Sequence, residues 1–448
     1  MQMAKYWLWL AALPAALLLP QTPASAAAPP DSPPTRLSLA QALDEALQAN
    51  PGLQVAGHQA AAARHEARAT ARSRWGALNA VGSYSYLNDD QILRPMSSEL
   101  LANGFAGAPW DRSQAHYGVS YELPLYLGGK LHNQVEIARL ESRKSAELLE
   151  GTRWQVRFNV VSLYSTAQAL DQAGAALDEQ IAALTQTRTN LDEMVRLGKR
   201  PEVDRLKVVE DLEAAKAGRA GVAADRRKVV ALLLSLLGRD PAGEVTLETQ
   251  AGPPAARDPA RDSLPGVVDD NSVIRTARLA AEQAARAVKV ARSEFLPKVV
   301  ASANAFENTG TRIDRHEETW GATVAVSFPL FEGGARFSRL QAAREKEAAA
   351  AASLRQAQLQ TQAALQDALA KFDAARTNLE AAAARVAAGT EAARIEQVRY
   401  DTGAGTIEDL LRARAREQAA RAALASARAA RVIAAARINT LAQKEIVP

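Results

Sequence analysis

The feature that most constrains this chain is that it repeats itself. Ala71-Arg72-Ser73 recurs as Ala291-Arg292-Ser293, each followed two residues later by an aromatic, Trp75 and Phe295. Leu123-Pro124-Leu125-Tyr126-Leu127-Gly128-Gly129 recurs as Phe328-Pro329-Leu330-Phe331-Glu332-Gly333-Gly334. Gly198 with Asp204 recurs as Gly403 with Asp409. The last two share one spacing (328 minus 123 and 403 minus 198 are both 205), and the first has a longer one (291 minus 71 is 220). The first half therefore carries about 15 extra residues between its Trp75 and Pro124 regions (220 minus 205). Generic alanine-rich similarity does not match Pro and Gly positions in order. A chain duplicated in this way folds as two copies of one supersecondary unit.

Each copy changes period in the same sequence. Residues 38–73 and 271–294 read as helices, the first broken early at Asn50-Pro51. The period then becomes two. Leu78, Ala80, Gly82, Tyr84 and Tyr86 alternate with mostly polar residues, as do Tyr117, Val119, Tyr121 and Leu123. Val299, Ala301, Ala303 and Ala305 do the same in the second copy, followed by Trp320, Ala322, Val324, Val326 and Phe328. Strands are expected at 76–88, 116–127, 296–307 and 319–331, with polar loops 88–116 and 307–319 closing two hairpins. One apolar and one polar face suits a lipid-facing barrel wall. It equally suits a half-buried soluble sheet, so alternation alone leaves both open.

A Gly-Gly pair then opens a long helix in each copy. From Lys130 to Leu197 there is no proline, and at ~1.5 Å per residue that run reaches ~100 Å. Leu149, Val156, Leu163, Leu170, Leu177, Leu184 and Leu191 recur every seventh residue, the seam of a coiled coil. The second copy carries a weaker seam through Leu365, Leu369, Phe372, Leu379 and Val386. Each helix pauses, at Leu197-Gly198-Lys199-Arg200-Pro201 and at Asp401-Thr402-Gly403-Ala404-Gly405, and returns, giving helical hairpins over 130–237 and 334–442. The expected organisation is a first repeat 38–238, a Pro/Gly-rich connector 239–270, a second repeat 271–443 and a tail 444–448.

Residues 1–26 read as a secretory signal, with Lys5, an apolar run from Trp7 to Leu19 and the small-residue site Ala24-Ser25-Ala26. Residues 27–37 form a Pro-rich segment expected to be mobile. No later stretch approaches ~20 apolar residues, so a membrane, if entered, is entered as a β-barrel. There is no Cys, which excludes disulfides, thiolate metal sites and an N-terminal lipidated Cys. With 54 basic against 50 acidic residues, the charge balance does not suggest a nucleic-acid binder.

Four strands cannot close a spanning barrel, since the smallest have about eight, and lipid tolerates no open edge. Membrane strands here would therefore require several chains sharing one barrel. The order of elements, the Pro-x-x-x-Gly-Gly entry into each long helix and the Tyr400-x-x-Gly403 turn leading to Asp409-Leu410-Leu411 resemble the outer-membrane efflux, TolC-like family over essentially the whole mature chain. The resemblance implies an α+β homotrimer in the outer membrane of a Gram-negative bacterium. Its twelve-stranded β-barrel would be continuous with a periplasmic α-helical barrel of antiparallel coiled-coil hairpins. It implies a periplasmic adaptor (membrane fusion protein) and an inner-membrane pump as partners, contact with outer-membrane lipid, no nucleic acid, no cofactor and no enzymatic activity. It places an aperture at Asp204, Tyr400 and Asp409, and adaptor-docking tips at Leu197, Gly198, Lys199, Arg200, Gly403, Ala404 and Gly405. Two departures stand out: Gly405 occupies the position of the family's gate arginine and Arg412 that of a second gate aspartate, leaving Arg200 or Arg412 as substitutes.

The plainer readings are also concrete. Asp204 and Asp409, each shortly after a turn, suit helix capping or dipole pairing. His58 and His65 share a helix face with no third ligand, and no metal site is expected. His316 with Glu317 and Glu318 falls in the polar loop. Arg414, Arg421 and Arg428 suit a solvated face or pairing with Glu. Rival functions are a periplasmic coiled-coil adaptor, which has one hairpin flanked by β domains, and an envelope hydrolase, for which no motif is present.

Overall fold

The computed structural model describes residues 36–93, 96–102, 108–248, 266 and 269–445. The expected signal sequence, nearly all of the 27–37 segment, most of the connector beyond Glu248 and the last three residues lie outside the described residues.

In chain order the elements are β1 (Arg36–Leu37), α1 (Leu39–Ala49), α2 (Pro51–Arg72), a 3-10 turn (Ser73–Trp75), β2 (Ala77–Ile92), a short α3 (Ser98–Ala102), β3 (Trp110–Leu127), α4 (Lys130–Arg196) and α5 (Glu202–Leu236). There follow β4 (Thr246–Leu247), α6 (Ser272–Ser293), β5 (Lys298–Gly310), β6 (Arg315–Ser327), α7 (Ala335–Asp401) and α8 (Ile407–Ala442). The strands β2-β3-β5-β6 form one antiparallel sheet in that order, and β1 pairs in parallel with β4.

The register explains the alternation seen in the sequence. Leu78 lies opposite Tyr121, Tyr121 opposite Ala303 and Ala303 opposite Ala322. Directly opposed residues share a face, so all four apolar sets stand on one side. Asn79, Ser120, Asn304 and Gly321, likewise linked, stand on the other. Both sides are open in the single chain: Trp320, Val326 and Leu78 on the apolar side are 84%, 69% and 71% exposed, and Asn79, Ser83, Thr323 and Ala325 on the other are exposed too.

The strands run further outward than the alternation predicts. Gln91 and Ile92 pair with Asp111 and Trp110 beyond a register shift, so the first loop is shorter than 88–116. The second loop shrinks to residues 311–314, because His316 pairs with Thr309 and Glu317 with Asn308. His316, expected in a loop, is thus a strand residue, with Nδ1 3.0 Å from Glu307. At the inner end β5 starts only after Pro297, and β6 stops at Ser327, leaving Phe328–Glu332 unpaired.

Each long helix has 67 residues and starts at a Gly-Gly pair in the left-handed region, φ 64° and 79° at Gly128-Gly129 and 59° and 83° at Gly333-Gly334. Two successive residues of this conformation, open only to glycine without strain, turn strand into helix. α5 returns along α4 and α8 along α7, while α2 packs on α4 and α6 on both α4 and α7. Pro201, the last residue of the pause, is the extended N-cap of α5.

In the first hairpin Val156, Leu184 and Leu191 of the heptad column are buried, with Val160 and Ala167 between them, while Leu149, Leu163, Leu170 and Leu177 are partly buried. The largest fully buried side chain of this seam, Tyr164, lies just off the leucine column, its hydroxyl 2.9 Å from the carbonyl oxygens of both Leu37 and Glu248. It fastens the β1–β4 pair to α4. In the second hairpin the seam is made by alanines as much as by large residues. Leu365, Ala368, Phe372, Ala375, Ala382, Ala393 and Tyr400 are buried, whereas Leu379 and Val386 are only partly so. Small seam residues let helix backbones approach closely.

The two copies are joined by equivalent buried asparagines. Asn50 caps α2 by accepting from Leu53 N (3.0 Å) and donates to Leu236 O at the end of α5 (2.8 Å). Asn271 caps α6 by accepting from Ile274 N (3.1 Å) and donates to Leu441 O at the end of α8 (3.4 Å). These contacts align the copies one residue away from the Ala-Arg-Ser match, so Trp75 corresponds to Leu296 rather than Phe295. Removing either Asn deletes a cap and leaves a carbonyl without its donor. Asn50→Ala is expected to cost about 1–3 kcal/mol, and Asn271→Ala less because its second bond is longer. Thermal unfolding followed by circular dichroism should show two lowered midpoints in that order, and an unchanged midpoint for Asn50→Ala would contradict this account.

Candidate functional site

The two hairpin turns come together at the end of the helices far from the sheet. A cluster of Leu184, Leu191, Val208, Leu212, Ala215, Tyr400, Ile407, Leu410 and Leu411 draws all four long helices into one core there. Apolar burial therefore fixes the relation of the two tips before any polar contact is considered.

Polar contacts then cross the junction. Arg200 places its guanidinium carbon 4.7 Å from the centroid of the Tyr400 ring, and its Nη2 lies 3.4 Å from Tyr400 O. Such a cation–π pair contributes roughly 0.5–2 kcal/mol depending on desolvation. Lys207 on α5 meets Glu408 on α8 at 3.2 Å. Both bridges link the first hairpin to the second. Farther along, Arg421 on α8 reaches Glu179 on α4 at 2.7 Å and Glu417 at 2.6 Å. Arg414 is partly buried and donates to Gln397, and burial pulls its pKa below the ordinary arginine value. The arginine stripe is thus a set of interhelix pairs at these two positions, not a uniformly solvated face.

Tyr400 is buried, and its hydroxyl has no hydrogen-bond partner among the described residues. Burial raises its pKa, while Arg200 lowers it and the charges of Asp204 and Asp401 raise it. The charge of Asp204 thus reaches Tyr400, and Arg200 stacks on the same ring. Asp409 is placed differently. Thr406 is the N-cap of α8, accepting from Asp409 N (3.1 Å) and donating to Asp409 Oδ2 (2.7 Å). Arg412 lies 4.0 Å from the same carboxylate. Asp409 is thus held in the first turn of α8 by its cap, Thr406, and Arg412 faces it as a partner.

The outermost points are the turns. Leu197 is 53% exposed, Lys199 and Ala404 are exposed, and a Cβ on Gly198 or Gly403 would meet nothing within 4 Å. Both glycines have positive φ, 70° and 78°, so each is required by the turn itself. Gly405 differs from the expected exposed tip: a Cβ there would lie 3.1 Å from Arg399 Cβ and 3.3 Å from Tyr400 N. Any larger residue at this position would press on the backbone that carries Tyr400. His58 and His65 are exposed, and no group of three potential metal ligands is found among the described residues. Sequence reasoning missed the Arg200–Tyr400 stack and the Lys207–Glu408 bridge. Their partners lie about 200 residues apart, and only the duplicated turns hinted that they meet.

The sheet, open on both faces, leads into four long helices that end in a packed tip. The chain belongs to the outer membrane efflux protein family, whose profile matches residues 42–239 and 268–442. It is 29% identical over 261 residues to protein CyaE of Bordetella pertussis, a match covering 57% of this chain and 55% of CyaE. The match thus spans little more than half the length of that relative. Among solved structures, a membrane protein from Pseudomonas aeruginosa superposes with a TM-score of 0.78 at 19% identity, covering 90% of each chain. The outer membrane protein VceC from Vibrio cholerae superposes with a TM-score of 0.75 at 19% identity, covering 91% of this chain and 96% of VceC. Members of this family are transport channels without enzymatic activity.

The Thr406 hydroxyl, followed by the Arg412 charge, holds the Asp409 carboxyl below its usual value. A carboxylate with a depressed folded-state pKa contributes stability that is present above its unfolded value and lost as pH falls through the folded one. The first turn of α8 should therefore stay closed as pH falls to 3.8, the ordinary value, and open only below it. Thr406→Ala should move that opening up toward 3.8 and cost about 1 kcal/mol. Peptic cleavage at Leu410-Leu411, followed by mass spectrometry across acid pH, reads it. Identical pH profiles for the two proteins would show that the bond contributes nothing.

Proposed function

We propose that three copies of this chain form the exit duct of an envelope export system, passing cargo from the periplasm to the exterior. One observation carries the reading. The sheet has an apolar face and a polar face, both open, and the outer edges of its strands β2 and β6 have no partner among the described residues. In lipid every backbone N–H and C=O requires a partner. The apolar face suits hydrocarbon, the polar face a water-filled lumen, and three sets of four strands a closed twelve-stranded wall. The long helices then continue the wall into the periplasm as a tube, ending at the Arg200–Tyr400 junction.

The described strands and hairpins favour this over the adaptor reading, because each helical hairpin is preceded by its own strand pair. The aperture is assigned to Asp204, Tyr400 and Asp409. Arg200, stacked on Tyr400, takes the latching role for which the gate position itself offers only Gly405. The exposed tips from Leu197 to Arg200 and at Gly403-Ala404 are the surface for a periplasmic adaptor, through which an inner-membrane pump delivers cargo.

Three copies bring three Asp204 and three Asp409 carboxylates near one axis. Like charges within a Debye length, roughly 8–10 Å, create a negative field in a narrow neck. Asp409 is partly offset by Thr406 and Arg412, so Asp204 should dominate. In planar-bilayer recordings the wild type should be cation-selective and blocked by a trivalent cation. Asp204→Ala should lose most of both, with a smaller effect from Asp409→Ala. Undiminished block in the double variant would remove the ring from the assignment.

The docking surface has its own check. Inserting two charged residues after Lys199 should abolish export while leaving trimer yield intact. Export at the wild-type rate would refute docking at this turn.

A further inference from the structure

The edges left open by one chain carry enough internal information to specify their partner. The register of the sheet repeats residue for residue. Ala77 with Glu122, Leu78 with Tyr121 and Gly82 with Tyr117 answer to Lys298 with Ser327, Val299 with Val326 and Ala303 with Ala322. The helices obey the same correspondence, since Asn50 bonded to Leu236 answers to Asn271 bonded to Leu441. One sheet contact has no counterpart within the chain: β3 against β5, which joins the end of the first copy to the start of the second. Its counterpart joins β6 to the β2 of another molecule.

The covered and uncovered versions of this contact differ in the way such a missing neighbour requires. In the first copy Tyr126 lies opposite Val299 and Leu127 opposite Lys298. A Cβ on Gly128 would come within 2.7 Å of Ser293 O and 2.9 Å of Leu296 Cβ. In the second copy the same segment lies bare. Phe331, counterpart of Tyr126, is 85% exposed, and Gly333, counterpart of Gly128, has nothing within 4 Å. At the opposite edge Trp75 and Leu78, the counterparts of Leu296 and Val299, are 68% and 71% exposed. The repeat assigns these two bare apolar surfaces to each other.

We infer that a second copy of this chain docks its β2 on β6 in one defined register. Tyr121 faces Ala303, so Val326 faces the partner's Gly82; Leu123 faces Ala301, so Phe328 faces the partner's Ala80. Beyond the bulge Phe331 covers the partner's Leu78, and the partner's Trp75 lies over Gly333. Side-chain size fits this register. Large residues meet small ones at Phe328 and Val326, and Thr323 meets the partner's Ser85 where the internal contact needs Gly118 to clear Phe306. A slip by one residue turns the apolar set of one strand to the polar face. A slip by two sets Phe328 against Leu78 and Trp320 against Tyr86. The inference rests on the closed-barrel reading above and adds to it the register of the seam.

The chain contains no Cys, so paired cysteines report cleanly. Ser120 faces Asn304 within the chain, so Ala325 faces the partner's Ser83. The full-length Ala325→Cys, Ser83→Cys variant, oxidised in outer-membrane vesicles with a mild dithiol oxidant, should give a covalent trimer on a non-reducing denaturing gel. It should form on the order of ten times faster than with Ala325→Cys paired to Val81→Cys or Ser85→Cys. Ser120→Cys with Asn304→Cys, an intrachain pair, controls for oxidation and stays monomeric on the gel. Faster cross-linking of a flanking pair overturns the register and leaves the closed barrel standing. No intermolecular cross-link from any pair, with the control oxidised, overturns the seam and the barrel reading together. Val326→Cys with Gly82→Cys, on the apolar face where Gly82 has open space, tests the same register if the polar-face variant fails to assemble.

Discussion

Each interior strand of a sheet satisfies its backbone on both sides, but the outer sides of β2 and β6 are left with donors and acceptors that no strand among the described residues meets. In water that debt is small. In hydrocarbon each unpaired group costs several kcal/mol, so the length of these two edges outweighs any single side-chain contact in the molecule. The proposed assembly follows from it: the edges must meet edges, and a duplicated chain offers an internal contact, β3 against β5, that already shows how they fit.

The helices inherit their arrangement from the same duplication. Two hairpins of equal length begin at equivalent Gly-Gly turns and are anchored by equivalent asparagines, Asn50 on Leu236 and Asn271 on Leu441. They therefore end level, which brings the turns at Gly198 and Gly403 to one place. Apolar packing of Leu191, Val208 and Leu410 closes that end, and Arg200 and Lys207 reach across it. Farther along, the Arg421–Glu179 pair joins the same two hairpins.

The site residues divide by what holds them. Asp409 is committed to a helix cap by Thr406 and offset by Arg412, while Asp204 acts by its charge on the buried Tyr400, whose hydroxyl lacks a partner among the described residues. Gly405 packs without a side chain against Arg399 and the Tyr400 backbone.

The sequence by itself determined the duplication, the four alternating strands, the Gly-Gly entries, the heptads of the first hairpin and the family, because each is written in local spacing. The alternation also separated the two sheet faces, since period two needs no knowledge of the neighbour strand. Only the tertiary structure decided the rest. It showed that polar residues such as His316 extend the strands, that alanines form the second seam, and that the copies align one residue away from their best sequence match. It separated Asp409, held by its cap, from Asp204, and chose Arg200 as the residue stacked on Tyr400. The reason is physical: alanine and polar residues carry no strong periodic signal of their own. A contact between residues 200 positions apart exists only once two helices of some 100 Å have been brought to the same level.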